Sequence, residues 1–273
     1  MKRYIAILFT LLVANCAFAQ QKQAEPADQQ ENAATETTIA PLTPEQTWMA
    51  ANEAYNQGEW ARATELYESI LSEQKHSAEL YFNLGNAYYK QEMLGKAIVN
   101  YNRALRLSPA DEDILHNLEY ATQATKDNIE KIPTFFLIEW VRNVRNLMGC
   151  NAWTIISLIA LVLTLLAMLI YLLAESLSRR KAGFYSMCVV AIVFLVSTIF
   201  AYQSYQALVN SNEAVIMSSA VPVKSSPDRA ATDLFVVHEG TKLSLGECID
   251  GWVEIRIADG RKGWIETSRI EII

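Results

Sequence analysis

AWTIISLIALVLTLLAMLIYLLA at residues 152–174 and GFYSMCVVAIVFLVSTIFAYQSYQA at 183–207 are apolar runs without a charged side chain, joined by ESLSRRKA at 175–182. A helix needs about 20 apolar residues to cross the hydrocarbon of a bilayer, and both runs reach that length. They predict a two-helix membrane hairpin, spanning at 151–174 and 183–207. Arg179, Arg180 and Lys181 cluster in the connection, and short loops rich in Lys and Arg stay cytoplasmic. Residues 175–182 are therefore expected as a cytoplasmic loop, with the flanking parts sharing the opposite compartment. Polar groups in the spans are hydroxyls such as Ser157, Thr164, Ser186, Ser197 and Thr198, which can bond to their own helix backbone. Transport would call for costly intramembrane charges, so the hairpin reads as an anchor.

The N-terminus supports this orientation. MKRYIAILFTLLVANCAFAQ has a basic start, an apolar core too short to span, and Ala17-Phe18-Ala19 before Gln20. This is the pattern of a secretory signal peptide over 1–19, cleaved between Ala19 and Gln20. Asn15 fits poorly before a lipidated cysteine at Cys16. Residues 20–43 are rich in Gln, Ala, Glu and Thr with no aromatic side chain, which predicts a disordered linker. The formal charge of −7 argues against nucleic acid, whose phosphates require clustered cations. The four cysteines show no metal-site or redox-pair spacing.

Between linker and hairpin the chain repeats itself. Ala51-Asn52-Glu53-Ala54-Tyr55 returns 34 positions later as Gly85-Asn86-Ala87-Tyr88-Tyr89, Ala63 as Ala97, and Tyr67 as Tyr101. That period identifies the tetratricopeptide (TPR) unit, two antiparallel helices packed through small residues. LYFNLGNAYYKQEMLGKAIVNYNRALRLSP, at 80–109, is the fuller copy. In the first copy Ala51 replaces the usual glycine and Lys75 the closing proline. Ile114-Leu115-His116-Asn117-Leu118 starts a capping helix, giving an array of about two repeats plus a cap over 44–128. Residues 133–149, PTFFLIEWVRNVRNLMG, place apolar side chains at helical spacing around Arg142 and Arg145. They suit an interfacial amphipathic helix and equally a helix packed on the array.

After Asn210 short β-prone runs replace helical periodicity. In GWVEIRIADGRKGWIETSRIEII, Val253, Ile255 and Ile257 alternate with charges, and Asp259-Gly260 marks a hairpin turn. Residues 212–273 suit a small, bent all-β barrel. Trp252, Gly260, Gly263 and Trp264 match the closing hairpin of bacterial SH3 domains, which this segment resembles. Trp252 and Trp264 read either as walls of a ligand cleft or as core residues. The fold class is thus modular: all-α TPR hairpins, a transmembrane hairpin and a small SH3-like barrel.

The whole order is signal, repeats ending in NLEYA, KIPTFFLIEW, two spans, VPVKSSPDRAATDLFVVHEGTKL and the SH3 hairpin. It resembles the BatE family, the TPR and SH3 proteins of the bacterial aerotolerance (Bat) operon. That resemblance implies an inner-membrane component beside von Willebrand factor A-type membrane proteins and a MoxR-type ATPase. Both soluble modules would then lie in the periplasm.

The sequence offers no reactive constellation. His76, His116 and His238 are scattered, there is no phosphate-binding glycine loop, and no GxSxG occurs. Asp111, Glu112 and Asp113 follow Pro109 at a helix start, where carboxylates complement the helix dipole. The chain reads as non-enzymatic, with neither cofactor nor metal. Binding is expected in the TPR groove, which registration on the repeat assigns to Trp48, Asn52, Tyr55, Asn56, Phe82, Asn83, Asn86, Tyr89, Lys90, His116, Asn117 and Tyr120. Aromatic rings supply contact area, and amides supply donors and acceptors for an extended peptide. Asn52 and Asn83 match the amides of TPR domains that clamp a terminal carboxylate. Trp48, Asp113 and Asn117 occupy the cationic positions of that clamp, so such capture is disfavoured. The expected function is a non-enzymatic inner-membrane scaffold binding protein partners. The alternative is an envelope anchor or sensor holding peptidoglycan through the SH3-like domain.

Overall fold

The computed structural model describes residues 43–127, 129, 133, 135–210 and 212–273. The expected signal peptide, its Ala19–Gln20 cleavage site and the linker up to residue 42 lie outside the described residues.

Five helices build the array: α1 (Pro44–Asn56), α2 (Trp60–Ser72), α3 (Ala78–Lys90), α4 (Leu94–Leu107) and α5 (Glu112–Gln123). Local chemistry fixes where they start. Thr43 and Gln46 form a reciprocal capping box before Pro44. Ser77 accepts from the Leu80 amide, and Asp111 accepts from the amides of Asp113 and Ile114. The α1–α2 and α3–α4 hairpins pack through fully buried Ala51, Ala63, Ala87, Ala97 and Ala104. Gly85 lets the Tyr101 ring approach closely, since a Cβ there would lie 2.7 Å from it.

Among the described residues two helices are long and apolar enough to cross a membrane, α7 (Cys150–Leu173) and α8 (Leu177–Val209), and a shorter helix, α6 (Phe136–Asn146), precedes them. The segment expected as a cytoplasmic loop, 175–182, is helical from Leu177 onward. Ser176 caps α8 by accepting from the Arg179 amide, so Arg179, Arg180 and Lys181 lie in its first turns. Leu, Arg, Lys and Ala are good helix formers, which explains the extension. Gly183 brings the two helices together, since a Cβ there would lie 2.8 Å from the Tyr171 backbone nitrogen. The Ser157 and Thr198 hydroxyls hydrogen-bond across the pair at 2.8 Å.

The C-terminal part is one seven-stranded antiparallel sheet: β1 (Glu213–Ile216), β2 (Val221–Lys224), β3 (Asp233–Val237), β4 (Lys242–Ile249), β5 (Trp252–Arg256), β6 (Lys262–Glu266) and β7 (Ile270–Ile272). The spatial order is β3-β2-β6-β5-β4-β1-β7. Register breaks at Val223/Lys224 and Leu245/Cys248 bend the strands, as bulges do. Val215, Ile216, Val223, Val253, Ile255 and Ile265 are almost fully buried.

This sheet packs on the outer face of α4. Val215 and Ile273 belong to the same apolar cluster as the TPR core. Polar contacts surround the joint. Glu239 accepts from the Gly95 amide at 3.0 Å, and Lys242 donates to Asn102 at 2.9 Å. Arg103 pairs with Glu271 at 2.9 Å and donates to the Ile272 carbonyl at 2.7 Å. Arg106 donates to the carbonyls of Ile273 and of Leu208, at the end of α8.

Candidate functional site

The concave side of the array holds a cavity of about 310 Å³ lined by Tyr55 from α1, Asn86, Tyr89 and Lys90 from α3, Tyr101 from α4, and Asn117 and Tyr120 from α5. Six of the twelve residues assigned to the groove by repeat register therefore converge: Tyr55, Asn86, Tyr89, Lys90, Asn117 and Tyr120.

The other six are used or placed elsewhere. Trp48 packs edge-on against Tyr67 with centroids 5.6 Å apart and borders a separate cavity near the start of α1. Phe82 tilts against Tyr101, and His116 meets Tyr120 edge-on. Asn56 is exposed and does not line the cavity. Asn83 donates to Asn52 Oδ1 at 3.4 Å. The two amides matched to a carboxylate clamp are thus bonded to each other.

The polar groups follow a rule set by the 34-residue period. Asn52 Oδ1 accepts from the Tyr67 hydroxyl at 2.6 Å as well as from Asn83. One repeat later, Asn86 Oδ1 accepts from the Tyr101 hydroxyl and from Asn117 Nδ2, both at 2.8 Å. Each central amide oxygen has both lone pairs engaged. Asn86 therefore has its Nδ2 to offer a ligand, and Asn117 its Oδ1. Burial pushes Tyr67 up to about 12 and raises Tyr101 and Tyr55 as well. Tyr67 and Tyr101 stay protonated and act as donors. Sequence register located the amides, but which of their atoms the fold consumes depends on the partner helix.

On the sheet, Val253, Ile255 and Ile265 point inward, while Trp252 and Trp264 are half-buried on the opposite face. The core alternative for these tryptophans is thereby corrected: strand alternation turns them away from the buried cluster. Trp252 borders a shallow cavity of about 510 Å³ with Arg229, Asp250 and Glu266, and Trp264 is not part of its lining. Arg229 pairs with Glu266 at 2.8 Å.

A third polar centre was not anticipated from sequence. Asp127, just after α5, accepts from the His238 amide and the Thr241 hydroxyl, both at 2.7 Å, and faces His238 Nδ1 at 2.6 Å. These residues lie more than a hundred positions apart, and no local pattern links them. Among the described residues no cluster of three His, Cys, Asp or Glu side chains could hold a metal.

Comparison with known families agrees with these geometries. Residues 78–111 match the tetratricopeptide repeat, covering α3, α4 and the turn to α5. Residues 218–271 match the bacterial SH3 domain. The chain carries a TPR unit and a bacterial SH3 domain. The α1–α2 pair repeats the TPR unit's Asn–Tyr bonding outside the matched segment. No curated protein matches the chain.

Proposed function

We propose that this protein is a non-enzymatic, membrane-anchored scaffold whose TPR groove docks an extended peptide segment of a protein partner. The observation that carries this reading is the cavity in which Tyr55, Tyr89 and Tyr120 surround the Asn86–Asn117 pair. Rings there provide contact area, and the amides present a donor and an acceptor suited to a peptide backbone. TPR units and bacterial SH3 domains are recognition modules, in keeping with a binding role. Given the resemblance to the BatE family, the partners we favour are von Willebrand factor A-type proteins of the same inner membrane, in an aerotolerance-type complex. Both modules would face the periplasm.

The test is photocrosslinking from position 89 in native membranes, with identification of the captured proteins. Recovery of a membrane protein is expected, and its loss in Asn86→Asp. That substitution keeps an oxygen acceptor for Tyr101 and Asn117 but removes the Nδ2 donor, so it separates ligand recognition from folding. An unchanged capture profile in Asn86→Asp, or no captured membrane protein at all, would refute the groove reading.

Outward-facing Trp252 beside its cavity favours a second reading, an envelope anchor that holds peptidoglycan through the SH3 domain. Under it, the full chain would sediment with purified cell wall, Trp252→Ala would abolish this, and Asn86→Asp would have no effect.

A further inference from the structure

Helix α6 ends three residues before α7, yet none of its residues is buried. At 100° per residue, Phe136, Trp140, Val144, Leu137 and Val141 fall within an arc of about 140°. Arg145, Arg142, Asn146, Glu139 and Asn143 occupy the remainder, with Ile138 the one apolar side chain among them. The apolar arc is open: Phe136 is 71% and Trp140 60% exposed. Packing on the repeat array, the other reading the sequence allowed, would have covered this arc.

Continuity with the membrane hairpin identifies what covers this face. The indole of Trp153, in the first turn of α7, donates to the Arg145 carbonyl at 2.8 Å. The end of α6 is therefore tied to the start of the span. At 1.5 Å per residue the 24 residues of α7 measure about 36 Å, against about 30 Å of hydrocarbon. The start of α7 cannot lie far from the hydrocarbon edge, and α6 is held at that level. A helix there with a wide apolar arc, bordered by arginines and containing a tryptophan, has the composition of one lying in the interface.

We propose that α6 lies in the surface of the same bilayer that α7 and α8 span, with Phe136, Trp140 and Val144 in the acyl boundary and Arg142 and Arg145 towards the headgroup phosphates. It then acts as a second membrane contact that resists tilting of the TPR groove relative to the bilayer. The proposal rests on the membrane reading of α7 and α8, and its test separates the two.

The full chain, with Cys16, Cys150, Cys188 and Cys248 replaced by serine, is reconstituted into phospholipid bilayers and spin-labelled at a single cysteine placed at 140, 142 or 163. Relaxation by oxygen, which partitions into lipid, is compared with relaxation by a water-soluble nickel chelate. The label at 163 should report lipid, which verifies the span. The label at 140 should also favour oxygen, and the label at 142, opposite the centre of the apolar arc, should favour the chelate. If 163 reports lipid while 140 and 142 both favour the chelate, α6 is in water and the proposal is wrong. If 140 is shielded from both reagents, protein covers the face and the proposal is equally wrong. If 163 itself favours the chelate, the membrane reading fails and takes this inference with it. As a check free of substitutions, a lipid-soluble photoactivated carbene reagent applied to the native chain should modify Phe136 or Trp140 and spare Arg142. Absence of any adduct on α6, with adducts present on α7, would contradict the proposal.

Discussion

Asp127 holds its carboxylate where three groups from the SH3 domain converge. Partial burial alone would raise its pKa. Hydrogen bonds from the Thr241 hydroxyl, the His238 amide and the His238 ring outweigh that effect and hold it below the usual carboxylate value. A carboxyl group whose folded pKa is depressed stabilises the fold above its unfolded pKa, about 3.9 for Asp. That stabilisation is lost as pH falls through the lower folded value. Replacing Asp127 with Ala would leave three part-buried groups without their acceptor, at about 1–3 kcal/mol for each unsatisfied group. The expected result is a lower thermal midpoint for Asp127→Ala at pH 7, and a gap from wild type that narrows as pH drops below 4. Thermal unfolding across pH checks this, and a gap independent of pH would exclude the carboxylate as its source. Nothing in the sequence announces the cluster. Asp127 follows the last periodic helix as an ordinary polar residue, and its role exists only because a distant β-turn folds back onto it.

Helices and strands were more legible, because periodicity and caps are local. Tyr67 and Tyr101, 34 positions apart, make the same bond to Asn52 and Asn86, so the repeat in sequence is also a repeat in hydrogen bonding. The groove was only half legible. Register shows which residues share a helix face, but whether Trp48, Phe82 or His116 turns into the cavity depends on neighbouring rings. The apolar hairpin gives the opposite lesson: its apolar length is plain in the sequence, whereas its tight connection depends on Ser176 and Gly183. Gly183 permits backbone approach to Tyr171, so Gly183→Val should separate the two helices or strain them, at about 1–3 kcal/mol for overpacking. In detergent this should lower the thermal midpoint. Val189→Leu, on an open face of the same helix, serves as the control expected to change little. Equal behaviour of the two variants would show that close packing at Gly183 does not hold the hairpin.

Taken as one body, the TPR array and the SH3 domain are not independent modules on a shared anchor. Helix α4 is buried on two sides, with Ala97, Tyr101 and Ala104 inside the array and Gly95, Ile98 and Asn102 towards the sheet. Two repeats and a cap form a short stack, and repeat arrays are stable only through neighbouring interfaces. Here the SH3 sheet supplies part of what further repeats would supply elsewhere. Burying one large aliphatic side chain contributes about 1.5–3 kcal/mol, so withdrawing the sheet, with Val215 and Ile273, from Ile98 removes a sizeable share of a small domain's stability. A chain ending at Asn210 should therefore lose amide-exchange protection along α4 and α5, which carry the outer part of the groove, while α7 and α8 exchange as before. Hydrogen exchange followed by mass spectrometry on the full and shortened chains, each in bilayers, reads this directly. Unchanged protection in α4 would mean that the array stands alone and the joint is only a contact. Loss of protection would mean that a ligand on the SH3 domain can alter the groove by loosening or tightening the helix between them, since energy shared across one interface acts on both sites.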